Sequence, residues 1–125
     1  MFERGGREQR GRSLETAVVV DLERRGYQLG WIRVGTDLEV DVFAEHPVEA
    51  PSLVQVSLDT AAAATWDREV RALHAAADAH PDTRALLVTL DPTPPSRSLP
   101  GRITWAPASR FLLEGPLRAP LDSSQ

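Results

Sequence analysis

Residues 38–59 read LEVDVFAEHPVEAPSLVQVSLD, and the way this stretch folds decides the reading of the chain. Leu38–Ala44 alternates: Leu38, Val40 and Val42 point one way, and Glu39, Asp41 and Phe43 the other. That is the period-2 pattern of a strand. His46-Pro47 through Pro51 is a loop. Leu53–Leu58 alternates again, with Val54, Val56 and Leu58 on one face and Leu53, Gln55 and Ser57 on the other. Two alternating runs joined by a short loop predict antiparallel neighbours. In that pairing Asp41 and Gln55 share a sheet face, with Glu15 nearby.

Working outward, a strand is expected near Gln28–Val34, with Gly35-Thr36-Asp37 turning the chain into Leu38. Before it, Leu14, Ala17, Val18 and Leu22 form a helical apolar stripe. Ser13 is the expected N-cap of that helix and Gly26 its C′ residue, just past Arg25. On the other side, a helix is expected to start at Thr65 as N-cap. Asp67 and Glu69 then suit the positive end of its dipole, and Trp66, Val70, Leu73 and Ala77 form its stripe. Pro81-Asp82 ends it. Arg84–Leu90 is an apolar run, predicted to be a strand buried on both faces. DPTPPSRSLPG is too rich in proline for anything but a loop. A short strand at Arg102–Trp105 and a short helix at Ala108–Leu113 complete the order. The fold class is therefore α/β: the order α-β-β-β-α-β followed by β-α, a small mixed sheet flanked by helices. Residues 1–12 are expected to be a flexible basic lead-in, 13–115 the domain, and 116–125 a disordered tail.

The chain has 125 residues, which is one domain by length, with 42% hydrophobic and 26% charged residues. All fourteen basic residues are Arg; there is no Lys and no Cys. The absence of Lys excludes a P-loop and lysine Schiff-base chemistry, so this chain is expected to bind no nucleotide of the P-loop kind. The absence of Cys excludes disulfides, thiolate nucleophiles and cysteine metal sites. No apolar run reaches the roughly 18 residues of a membrane span, and MFERGGREQRGR lacks the apolar core of a signal peptide. The expected location is the cytoplasm, with no membrane partner. A net charge of −4 opposes broad capture of nucleic acid. Local basic surface remains at Arg4, Arg7, Arg10 and Arg12, and at Arg68 and Arg71.

The order of elements and the spacing from Asp41 to Gln55-Val56-Ser57 resemble the PD-(D/E)xK nuclease-like superfamily. A narrower similarity covers about residues 13–115. Glu39-Val40-Asp41, Gln55-Val56, Arg68-Glu69 with Ala72-Leu73, and Pro107-Ala108 with Phe111-Leu112-Leu113 occur in the order found in one module. That module is the C-terminal domain of unknown function in a family of prokaryotic AAA+ ATPases. No ATPase module accompanies it in these residues. The resemblance therefore implies a free-standing copy, a split partner of an ATPase, or a remnant of a longer gene.

The resemblance also implies a site. Asp41 matches the central acid, Gln55 stands where the family has a second acid, and Ser57 stands where it has lysine. Glu15, Asp41, Gln55 and the Val56 carbonyl would be the Mg²⁺ ligands, and Arg68 and Arg71 the contacts to nucleic acid. An amide in place of a carboxylate removes a unit of charge beside a divalent ion. Arg cannot replace lysine as a base, because it stays protonated. The implied function is thus an accessory or regulatory domain with degenerate chemistry, partnering an AAA+ module or DNA. The alternatives are a weak Mg²⁺-dependent endonuclease and a protein-contact remnant. Plainer readings stand beside each residue. Glu39 and Asp41 suit any half-exposed strand, Gln55 suits a buried polar partner, and Glu15 and Arg68-Glu69 suit a solvated helix face. His46, His74 and His80 lack metal-ligand spacing.

Overall fold

A computed structural model describes residues 2–34, 38–57 and 63–115, with side chains for 13–32, 40, 42–57 and 65–115. The expected disordered tail at 116–125 and the strand end at Leu58 lie outside the described residues. The element order is α1 (Phe2–Arg24), β1 (Gln28–Val34), β2 (Leu38–Glu45), β3 (Ser52–Ser57), α2 (Ala63–Ala79), β4 (Arg84–Thr89), β5 (Ile103–Pro107) and α3 (Ala108–Glu114). The five strands form one mixed sheet in the order β1-β2-β3-β4-β5. β1, β2 and β3 form an antiparallel meander, as expected for the pair β2–β3. β4 and β5 then add parallel to β3. Parallel neighbours need a long connection. α2 provides the first, and the proline-rich loop at 90–102 provides the second.

Each face of the sheet buries its own core. On one face Leu14, Val18 and Leu22 of α1 and Phe111 of α3 pack on Val42, Val54, Val56, Leu86 and Val88. On the other, Trp66, Leu73, Ala76 and Ala77 of α2 pack on Val40, Leu53, Ala85, Leu87 and Ile103. β4 is central and buried on both faces, which explains its unbroken apolar sequence. Among the described residues no helix is long and apolar enough to cross a membrane.

Three expectations are corrected. α1 starts at Phe2, so Ser13 lies inside the helix and caps nothing. Residues 2–12 are mostly Arg, Glu, Gln and Gly, and no proline interrupts them. The helix thus runs through three glycines with no apolar stripe to announce it, and intrinsic propensity does not explain that extension. α2 starts at Ala63, which puts Thr65 inside it and leaves no acidic residue in its first turn. The alternation of β2 also breaks. Val40 packs on the α2 face, whereas Val42 and Ala44 pack on the α1 face. The cause is a bulge. Gly30 pairs with Phe43 but Ile32 pairs with Val40, so β2 carries one more residue than β1 across that step.

Two arginines fasten helix ends from a distance. α1 ends in a Schellman turn: Gly26, at φ 95°, donates to the Glu23 carbonyl, and Tyr27 donates to Leu22. Beside it, Arg25 binds Asp21 at 2.8 Å and donates to the carbonyls of Leu112 (3.1 Å) and Leu113 (3.2 Å) at the end of α3. Arg102 does the same for α2, donating to Ala77 at 2.8 Å and to Thr83 at 2.9 Å. Both satisfy carbonyls that a helix end leaves without intrahelical partners.

Candidate functional site

β3 runs parallel to β4 and β5, and its carboxyl end lies under the first turns of α2. In open α/β sheets this is where ligand sites are commonly built. Gln55 and Ser57 share a face with Leu53, as the alternation predicts. That face is the one covered by α2. Gln55 is 4% exposed and Ser57 1% exposed. In the parallel register Gln55 stands beside Leu87 and Trp105, and Ser57 beside Thr89 and Pro107. Thr89 is buried as well. Its hydroxyl accepts from Trp105 Nε1 at 2.8 Å and donates to the Asp91 carbonyl at 2.9 Å. The carboxyl ends of β3 and β4 thus carry buried polar side chains, with Trp105 Nε1 of β5 reaching in to bond Thr89.

Glu69 joins these polar side chains. It lies on the inner stripe of α2, three residues after Trp66 and four before Leu73, both of which are buried. Its carboxyl faces Ser57. Burial pushes this carboxyl above the usual range, while the Ser57 hydroxyl and the Arg68 guanidinium pull it back. Glu69 Oε1 and Ser57 Oγ are both buried atoms, and neither has a hydrogen-bond partner of good geometry. Sequence reading placed Glu69 on a solvated face or at a helix N-terminus. Its signal was present all the same, in its spacing from Trp66 and Leu73.

No family model, curated protein or solved structure matches this chain.

The remaining candidate residues separate. Glu15 stands on α1 beside Leu14, on the side of the sheet opposite Gln55 and Ser57. The structure therefore does not bring Glu15 and Gln55 together. Asp41 lies in β2, in the bulged step between Val40 and Val42, and its side chain is outside the described residues. Alternation cannot be carried across a bulge, so the pairing of Val42 with Val54 does not assign Asp41 a face. The Mg²⁺ set of Glu15, Asp41, Gln55 and the Val56 carbonyl is not assembled by the described side chains. Among the described residues no three His, Asp or Glu side chains converge. Arg68 and Arg71 are both exposed on the outer side of α2, one turn apart. His46 is used locally: Nδ1 accepts from the amides of Val48 (3.0 Å) and Glu49 (3.1 Å), which closes the β2–β3 loop.

Proposed function

We propose that this chain is a cytoplasmic, nuclease-like accessory domain of the PD-(D/E)xK type, akin to the C-terminal domain of prokaryotic AAA+ ATPases, with its cleavage chemistry degenerate. One observation carries the reading. The two positions that would hold the acid and the lysine hold Gln55 and Ser57, both neutral and both buried beneath α2. A phosphodiester and its metal need an open, charged site. A sealed pair of neutral side chains supplies neither. The α-β-β-β-α-β order and the meander leading into parallel strands support the fold part of the proposal. The working surface of the domain is then its exterior. Arg68 and Arg71, exposed on α2, are the groups the described surface offers to a partner, and the sequence adds basic residues at 4, 7, 10 and 12.

The test is a cleavage and metal-binding assay. Purified protein with Mg²⁺ or Mn²⁺ is expected to leave plasmid and single-stranded DNA intact and to show no saturable metal binding by calorimetry. Robust cleavage lost in Asp41→Ala would establish the endonuclease reading instead. Co-elution with an AAA+ ATPase encoded beside this chain tests the accessory role, and its absence would favour a remnant.

A further inference from the structure

β1 forms one edge of the sheet, with β2 beside it and, among the described residues, no strand on its other side. An open edge is a template for a further strand, and natural sheets blunt it with prolines, charges or very short strands. β5, the opposite edge, is five residues long and ends on Pro107, which has no amide to donate. β1 has neither device. It runs seven residues, QLGWIRV, without a proline. Trp31 at its middle is 60% exposed. The bulge adds its extra residue to β2, so the alternation of β1 is intact: Leu29 packs on the α1 face and Ile32 on the α2 face. Trp31 shares the face of Leu29, and Gly30 the face of Ile32.

We propose that β1 pairs antiparallel with β1 of a second copy of this chain, with Trp31 on the two-fold axis, joining two five-stranded sheets into one. The strand is complementary to itself in that register. All seven residues find a place: Gln28 opposite Val34, Leu29 opposite Arg33, Gly30 opposite Ile32, and Trp31 opposite its own copy. On the α2 face each Ile32 stands over Gly30 of the other copy. Among the described residues nothing lies within 4 Å of where a Cβ on Gly30 would sit, so that space is open to receive it. Glycine inside a strand often marks close approach by another backbone. On the α1 face Trp31 meets Trp31, flanked by Leu29 from each copy, and cross-strand aromatic pairs of this kind are stabilising.

Other registers fit worse. Moving the axis to Gly30 pairs fewer residues and sets two glycines opposite each other, with no side chain to fill the space between. Moving it to Arg33, the one charged residue of β1, places that position opposite itself, and like charges directly opposite are destabilising. The same complementarity chooses the occupant. An extended segment of another protein would have to bring a branched residue opposite Gly30 and an aromatic opposite Trp31, which a second β1 already carries. A two-fold pair that uses one patch twice is also the commonest arrangement of soluble oligomers. A single strand pair is smaller than a standard interface, so this dimer exchanges with monomer on dilution. The pairing involves β1 alone and stands or falls apart from the nuclease-like reading.

Sedimentation velocity of the full chain over about a hundredfold range of concentration tests it. The expected result is a reversible shift from monomer to dimer as concentration rises. Trp31→Glu replaces the aromatic pair with facing carboxylates and should weaken the dimer about tenfold. Because the chain has no cysteine, single cysteine variants map the register. Under mild oxidation Trp31→Cys, whose copies face each other on the axis, should be trapped as a disulfide-linked dimer. Gln28→Cys, exposed on the same strand but at the outer end of the paired segment, should stay monomeric under the same conditions. A chain that is monomeric at every concentration, or a Trp31→Cys variant that is not trapped, overturns the proposal and leaves the edge to an extended segment of another protein. A dimer unaffected by Trp31→Glu, or equal trapping of the two cysteine variants, overturns it by moving the contact elsewhere. If Trp31→Glu does not fold by circular dichroism, the two cysteine variants decide.

Discussion

Replacing Arg25 with Met tests whether the two ends of the chain are joined by one guanidinium. The substitution keeps the aliphatic stem and removes three hydrogen bonds: one to Asp21 at 2.8 Å and two to the α3 carbonyls of Leu112 and Leu113 at 3.1 and 3.2 Å. The Arg25 side chain is 30% exposed and that of Asp21 12% exposed. The pair is therefore neither a surface bridge, worth about 0–1 kcal/mol, nor a deeply buried one, whose breaking costs about 3–5 kcal/mol. About 1 kcal/mol for stranding Asp21 is a fair middle value, and the carbonyl bonds add about 1–2 kcal/mol together. The sum is about 2–3 kcal/mol. For a domain of this size that lowers Tm by about 10 °C. Thermal melts followed by circular dichroism measure the loss, and hydrogen exchange should localise it to Ala108–Glu114. In a double-mutant cycle, Asp21→Asn on the Arg25→Met background should cost little more, because the partner is already gone. A Tm within about 2 °C of wild type, or a loss that leaves α3 exchange unchanged, would refute the argument.

Gly115 sits at φ 73°, where an added Cβ would meet the Arg25 guanidinium at 2.9 Å. Gly115→Ala should therefore cost about 1–2 kcal/mol in denaturant titration, through both backbone strain and displaced contacts. Tyr27 buries a hydroxyl that has no partner, and burial raises its pKa above 10.0. Its contribution is intact below the unfolded phenol pKa and is lost as pH rises through the folded one. Tyr27→Phe should accordingly be neutral or stabilising by up to about 1 kcal/mol at neutral pH, and should soften the stability loss above about pH 10 in alkaline melts. Trp105→Phe removes the 2.8 Å bond to Thr89 and should cost about 1 kcal/mol by chemical denaturation. DNA binding, read by fluorescence anisotropy, should be weak and independent of sequence. About four neutralised phosphates would give a log–log salt slope of about −3.6 on duplex DNA, reduced when residues 1–12 are deleted.

Much of this fold was legible because its signals are local. The alternation of Leu53–Ser57 assigned both faces of β3, and the Trp66, Val70, Leu73, Ala77 stripe assigned the buried side of α2. Arg84–Thr89 announced a buried strand by the unbroken apolar run Ala85–Val88. What was missed depends on pairing partners. The bulge in β2 arises from its register with β1, and nothing in LEVDVFAE marks which residue is the extra one. The start of α1 lacks an apolar stripe and carries three glycines, so neither periodicity nor propensity marked it. Glu69 was misplaced because charge was allowed to outweigh periodicity. The opposition of Glu15 to Gln55 across the sheet required knowing which helix covers which face, and short local patterns do not contain that.

The strand order has a kinetic consequence. Every strand pairs only with its neighbours in the chain, so the sheet can grow at a single advancing edge as residues leave the ribosome, with no strand inserted between two others. Such a path keeps early contacts short in sequence and favours rapid pairing. α1 is the exception. Its stripe needs Val54, Val56 and finally Phe111, so α1 is covered fully only after α3 has formed. Until α3 docks, its apolar side remains available to other chains. Losses of yield on deleting α3 would thus be aggregation of a nearly finished sheet, not failure to build it.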